Sequence, residues 1–189
     1  MMRDGDIRGP LGKWIRAHYY GVPDTGLIEE LKVPRPSARI DLALVNRELV
    51  GYEIKSDHDT LARLPKQIMA MQQTCDRACV VAARKHVPAV MEVVPNWCGV
   101  LQPYRWKGEV RFKSLREAAP VPVKFDFALA QMLTKSELLA IFEVFGFHEG
   151  QRSKRRSQLI DQLLHRLDSC ELRHQIRSTL RRRQSCVAC

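Results

Sequence analysis

"ARIDLALVNRELVGYEIKSDHDTLARLPKQ", residues 38–67, is the stretch on which the fold turns. Residues 39–45 and 49–55 alternate with period two, and the polar Asn46-Arg47-Glu48 between them reads as a hairpin loop. In the second strand Val50, Tyr52 and Ile54 face one way while Glu53 and Lys55 face the other. In the first, Ile40, Leu42 and Leu44 are expected to share a face, with Asp41 on the opposite side. A three-residue loop pairs Val45 with Leu49 and sets Asp41 opposite Glu53, whereas a two-residue loop sets Asp41 opposite Tyr52. Given the odd loop, two carboxylates and an ammonium converge at one end of an apolar hairpin. Two buried carboxylates repel, and an uncompensated pair would raise a pKa, so a cation is expected beside them. Lys55 supplies one charge; a divalent ion held by hard oxygens, Mg²⁺ or Mn²⁺, supplies the rest. The alternative is an Asp–Lys–Glu network on the solvent face of a half-exposed strand.

Outward from the hairpin, residues 6–19 read as a helix with Leu11, Trp14, Ile15 and Tyr19 on its apolar side. GLIEELKV, residues 26–33, reads as a helical turn or a strand, and Pro34 and Pro36 force an extended entry into the hairpin. Asp57 and Asp59 are expected to cap the helix in TLARLPKQIMAMQQT, which accommodates Pro65 through a kink or a late start. CVVAA (79–83), CGVLQPY (98–104) and EVRFKSL (109–115) read as strands and HVPAVMEVV as a helix. That order predicts an α/β core with a mixed sheet. Pro120 and Pro122 mark a break, and residues 121–189 are expected to be a small all-helical region, with Thr134 and Glu137 as a capping box.

With Asp41, eleven residues, then Glu53-Ile54-Lys55, the chain resembles the D-x(n)-(D/E)-x-K signature of the PD-(D/E)XK nuclease superfamily. The longer stretch 38–67 is similar to a small bacterial and phage family within it. This resemblance implies a restriction-endonuclease-like mixed β-sheet core flanked by helices over residues 1–120. It also implies metal-dependent hydrolysis of DNA phosphodiester bonds, in repair, mobile-element or defence processes. Asp41 and Glu53 would be the metal carboxylates, joined by the carbonyl of Ile54, and Lys55 would orient or deprotonate the attacking water. An acidic residue on the preceding helix completes such sites; Glu30 is the first choice and Glu29 the second. Gln67 matches a glutamine on the following helix, while Met71 stands where an aromatic often follows and Ile40 where the motif has proline. The other reading is a nucleic-acid-binding or scaffolding protein on a nuclease fold that does not cut.

LTKSELLAIFEVFGF and KRRSQLIDQLLHRL, joined by a basic loop, resemble a SAP-type helix–loop–helix, a DNA-binding module; Arg152, Lys154, Arg155 and Arg156 would grip phosphates there. Thirty-one Lys and Arg against 21 Asp and Glu give +10, of which residues 150–189 carry +7. A basic end on a balanced body points to a polyanion, DNA with RNA as the alternative, and a homodimer is one way to cut both strands. No apolar run approaches the length of a membrane span and MMRDGDIRGP has no signal-peptide core, so a cytoplasmic protein with reduced cysteines is expected. Cys170, His174, Cys186 and Cys189 form a minor zinc-binding alternative. Trp14, Trp97 and Trp106 are read as packing aromatics, and His58 and Asp59 as loop residues within reach of the metal water, with capping by Asp57 or Asp59 the favoured alternative.

Overall fold

The computed structural model describes residues 1–34, 39–147 and 149–185, so Pro36, Cys186 and Cys189, with the zinc set they would complete, lie outside the described residues. Helix α1 (Asp4–His18) is followed by strands β1 (Gly26–Lys32), β2 (Arg39–Val45) and β3 (Leu49–Lys55). Helix α2 (Leu64–Thr74), β4 (Arg77–Ala82), a 3-10 turn (Arg84–His86) and α3 (Val87–Val93) come next. Strands β5 (Gly99–Trp106) and β6 (Glu109–Arg116) precede helices α4 (Asp126–Ala130), α5 (Lys135–Val144), α6 (Arg156–Arg166) and α7 (Ser169–Ser185). The protein is therefore α/β, with a mixed sheet flanked by helices and a C-terminal helical region.

Six strands lie in chain order, β1-β2-β3-β4-β5-β6. Only β3–β4 and β4–β5 pair in parallel; the other pairs are antiparallel. Val45 pairs with Leu49, so the hairpin has the three-residue loop that the odd register requires. GLIEELKV is a strand rather than a helical turn. Pro65 is accommodated by the late start, at the first turn of α2, where its missing N–H has no helical partner to lose.

One expectation fails in an instructive way. Leu42 and Leu44 pack beneath α1 with Ile7, Leu11 and Ile15, but Ile40 joins Ala43 and Val45 on the opposite face, against α2. Strand β1 changes face at the same level, since Leu27 lies beneath α1 and Leu31 does not. Between these pairs stand Asp41 and Glu30, and Glu30 has the left-handed backbone φ of +51° that a non-glycine residue rarely adopts. The alternation breaks where the two strands carry their acidic residues.

Gly51 explains how α2 comes so near the sheet. A Cβ there would lie 2.8 Å from Met71 Cε and 2.9 Å from Cys75 Sγ, so only glycine lets the helix seat directly on β3. The core under α2 is continuous with that of the C-terminal helices: Leu129, Leu138, Phe142, Leu159, Ile160, Leu163, Ile176 and Leu180 belong to the same cluster as Val80 and Met71. Each such fully buried side chain contributes roughly 1.5–3 kcal/mol. The break at Pro120 and Pro122 thus divides secondary-structure types across one shared core.

Charges lock that arrangement. Buried Asp76 accepts from Leu49 N at 2.9 Å, and Arg173 Nη1, Arg177 Nη1 and Lys124 Nζ lie 3.5, 3.4 and 3.2 Å from its carboxylate. Arg183 pairs with Glu137 at 2.7 Å, and Arg181 donates to the Asn46 carbonyl at 3.3 Å. Arg173, Arg177, Arg181 and Arg183 of α7 are thereby engaged within the protein, while Arg182 stays exposed. The Thr134–Glu137 capping box is present, with Thr134 N donating to Glu137 Oε2 at 2.7 Å. Among the described residues no helix is long and apolar enough to cross a membrane, and Cys75, Cys79, Cys98 and Cys170 are free.

Candidate functional site

At the C-terminal end of β3 an open cleft of about 400 Å³ is lined by Asp4, Glu30, Arg39, Asp41, Glu53, Ile54, Lys55, Asp59, Arg63 and Gln67. The β2–β3 ladder runs to Leu42–Tyr52, and its register carried one step further sets Asp41 opposite Glu53. There Asp41 Oδ2 accepts from Ile54 N at 2.7 Å, replacing a strand-to-strand bond with a side-chain one. That side-chain bond holds Asp41 beside β3.

Glu53 and Lys55 are both buried. Lys55 Nζ lies 2.8 Å from Glu53 Oε1 and donates to Gln67 Oε1 at 2.8 Å, while Gln67 Nε2 donates to the same Glu53 oxygen. Sequence geometry accounts for this triangle. Met71 touches Gly51, and one helical turn back along α2 brings Gln67 level with Glu53, two residues on along β3. Glu53 Oε2, the other oxygen, is buried without a hydrogen-bond partner. Burial first, and then the Asp41 charge, push the Glu53 carboxyl up from 4.5 to about 7, against the opposing pull of Lys55 and Gln67. Burial also raises Asp41, against the bonds from Ile54 and Arg8.

Asp4, Arg8, Arg39 and Arg63 escaped the sequence reading. Arg8 of α1 stacks its guanidinium between acids: Nε lies 2.8 Å from Asp4 Oδ1, Nη1 2.9 Å from Glu30 Oε1 and Nη2 3.1 Å from Asp41 Oδ1. Although burial works against its charge, the bonds and charges of Asp4 and Asp41 raise its pKa further above the usual arginine range. The only signal in the sequence was an Asp4–Arg8 pair at i, i+4, which any solvated helix face can carry. Glu30 reaches the cleft from strand β1, not from a helix; the preceding helix contributes Asp4 instead. Glu29 does not line the cleft.

Around the cleft, Asp59 accepts from Ser56 N at 2.8 Å and Asp57 accepts from Met2 N at 2.6 Å. Neither caps α2, whose N-cap is Arg63 without a side-chain bond; they fix the loop after Lys55 and the N-terminus. His58 does not line the cleft. The basic residues of the α5–α6 loop divide: Arg152 and Arg155 are exposed and Lys154 partly so, but Arg156 donates to the carbonyls of Leu133 (2.8 Å) and Gln131. Arg156 is therefore a helix-packing residue.

The donor set suits a hard divalent cation: the carboxylates of Asp41 and Glu53, the latter with a buried oxygen that nothing binds, and a backbone carbonyl at Ile54. Among the described residues no group of three or more His, Cys, Asp or Glu side chains gathers around one point. The third acid, Glu30, turns with Asp41 toward Arg8.

Comparison with known proteins gives the chain relatives. The family described as Bacteriophage P4 protein cII matches residues 17–187, a range that holds Glu30, Asp41, Glu53, Lys55 and Gln67 and leaves out Asp4 and Arg8. Protein cII of Enterobacteria phage P4 is 29% identical over 146 residues, which make up 77% of this chain and 55% of that relative. The chain thus spans about half the length of the curated relative it matches. No solved structure matches it.

Proposed function

The chain belongs to the bacteriophage P4 protein cII family, and from the geometry of its cleft we propose that it is a metal-dependent deoxyribonuclease with a restriction-endonuclease-like core, working in the cytoplasm. One observation carries the reading. The buried Glu53 and Lys55 form a triangle with the half-buried Gln67 beside Asp41, and Glu53 Oε2 is left unbonded at an open cleft. A buried group left without a partner costs about 1–3 kcal/mol and more when charged, so it points to a ligand the fold expects. The likeness of Asp41, Glu53 and Lys55 to the PD-(D/E)XK pattern supports the same class.

Asp41, Glu53 and the Ile54 carbonyl would hold Mg²⁺ or Mn²⁺, with Glu30 as the third acid. When bound, such an ion supplies Lewis-acid polarisation of a phosphoryl oxygen and a water of lowered pKa. Lys55, fixed by Glu53 and Gln67, orients the attacking water for in-line displacement. Gln67 holds the Glu53 carboxyl in one rotamer. Arg39 and Arg63 at the cleft wall offer donors to the phosphates on either side.

The test is nicking of supercoiled plasmid, and degradation of linear and single-stranded DNA, by the wild-type chain and Asp41→Ala with Mg²⁺, Mn²⁺ or EDTA. Metal-dependent cutting that disappears in Asp41→Ala supports the reading; Lys55→Ala that keeps full Mg²⁺-dependent cleavage overturns the role of Lys55. A second reading, a protein that binds nucleic acid without cutting, is favoured by one feature. Arg8 already neutralises Asp41 and Glu30, so the acids are satisfied without metal. Binding without cutting by both proteins selects it.

A further inference from the structure

Strands β3, β4 and β5 run parallel, so their C-terminal ends share the edge of the sheet that carries the cleft. Lys55 pairs with Ala82 and Val81 with Leu101, which puts Gln102 level with Lys55, two strands away. Strand β5 continues past that level to Trp106, paired with β6 as a hairpin that turns through Lys107 and Gly108 at positive φ.

The two faces of this hairpin differ. Phe112, which pairs with Pro103, packs on Trp14 of α1, with ring centroids 5.8 Å apart. On the other face Tyr104 pairs with Arg111 and Trp106 with Glu109, and Lys113 pairs with Gln102. Tyr104 is 38% and Trp106 53% exposed, and Arg111 and Lys113 are exposed beside them. Strand alternation from Val100, which lies in the α2 core, puts Tyr104 and Trp106 on the same side of the sheet as Lys55 and Gln67. Strand spacing then sets the Cα atoms of Tyr104 and Trp106 roughly 12 and 16 Å from that of Lys55. Between them, after β4, the exposed Arg84 and Lys85 begin right beside Lys55, whose carbonyl accepts from Ala83 N at 2.8 Å.

A large, half-exposed tryptophan at a hairpin tip does not serve the core, which corrects the reading of Trp106 as a packing aromatic. Residues 104–113 carry four basic side chains against Glu109 alone. Rings interleaved with cations are the chemistry that receives unpaired bases: the faces stack, the cations track the phosphates, and a duplex keeps its bases hidden from both. We propose that the β5–β6 arm, with Arg84 and Lys85, binds a single strand of nucleic acid as it leaves the cleft. The proposal deepens the nuclease reading and rests on it for the position of the scissile phosphate, though binding itself needs no cutting.

The experiment is fluorescence anisotropy of labelled oligothymidylate and of a duplex of equal length, in EDTA, with the full chain. Wild type binds the single strand more tightly than the duplex, Tyr104→Ala/Trp106→Ala weakens single-strand binding by about tenfold or more, and Trp106→Phe restores most of it. Equal affinity for the duplex, or no change in the double variant, overturns the arm's role, as does an arm that only joins two copies of the chain. Asp41→Ala serves as the control that separates the two claims. Loss of cutting with retained binding leaves the arm standing, and a wild-type chain that binds this way yet never cuts removes the nuclease reading alone.

Discussion

Strand β3 has a buried ionic cluster at each end, and the two are built to opposite rules. At its start, Asp76 receives the Leu49 N–H and three basic side chains, one of them the buried Arg173, which also lies 2.6 Å from Asp126. At its end, Glu53 has one oxygen shared by Lys55 and Gln67 and the other with no partner, and its carboxyl is pushed up to about 7. The first cluster ties helix α7 to the sheet, and its charges are compensated by neighbours that no ligand needs to move. The second retains an electrostatic debt that a cation would remove. Satisfied buried charge reads as architecture, and unsatisfied buried charge next to an open cleft reads as chemistry.

The comparison is open to attack at both ends. The largest effect is expected at the start of β3: Asp76→Ala takes the buried Leu49 N–H from its acceptor and one of two acids from the buried Arg173, and should lower stability by about 3–5 kcal/mol in urea unfolding. A loss under 1 kcal/mol would mean that this cluster is not what holds α7. At the other end the sign reverses. Glu53→Gln removes a carboxyl whose ionisation the fold resists, and above pH 8 it should raise stability by roughly 2–3 kcal/mol while abolishing metal-dependent cutting. A destabilised Glu53→Gln would show that the Lys55 contact outweighs the burial.

Glu53 also dictates a pH dependence. Its folded-state pKa lies above the unfolded value, so between about 4.5 and about 7 the unfolded chain ionises first. Its contribution to stability is therefore complete below 4.5, falls as pH rises to about 7, and is flat beyond. Unfolding of wild type and Glu53→Gln across that window should differ in slope, and parallel curves would place the shift elsewhere. The smallest effect is expected from Lys124→Ala: Lys124 is 50% exposed where Arg173 is 8%, so its pair with Asp76 should contribute no more than about 1 kcal/mol.

Much of the site was legible before any coordinates. Asp41, Glu53, Lys55 and the loop register follow from alternation within one hairpin, whereas Gln67 came from the resemblance to PD-(D/E)XK nucleases and its place beside Glu53 from the seat that Gly51 gives α2. What alternation could not foresee was its own interruption. Ile40 and Leu31 change face at Asp41 and Glu30, because the left-handed Glu30 turns the backbone there, and a period-two reading carries straight through such a point. Glu30 lines the cleft from a strand and not from a helix, since eight residues of mixed pattern fit a turn of helix or a strand equally well.

The sequence by itself determined the α/β order of elements, the hairpin register, the capped start of α5 and the local triangle of charge, all of which depend on contacts a few residues apart or one crossover away. Tertiary structure alone decided which arginines are free. Arg8 meets Asp41 across 33 residues and Arg173 meets Asp76 across 97, so a composition that reads as a basic tail becomes, once packed, a set of internal counter-charges. Charge is counted along the chain, but its availability to a partner is fixed by burial and by the neighbour each side chain meets.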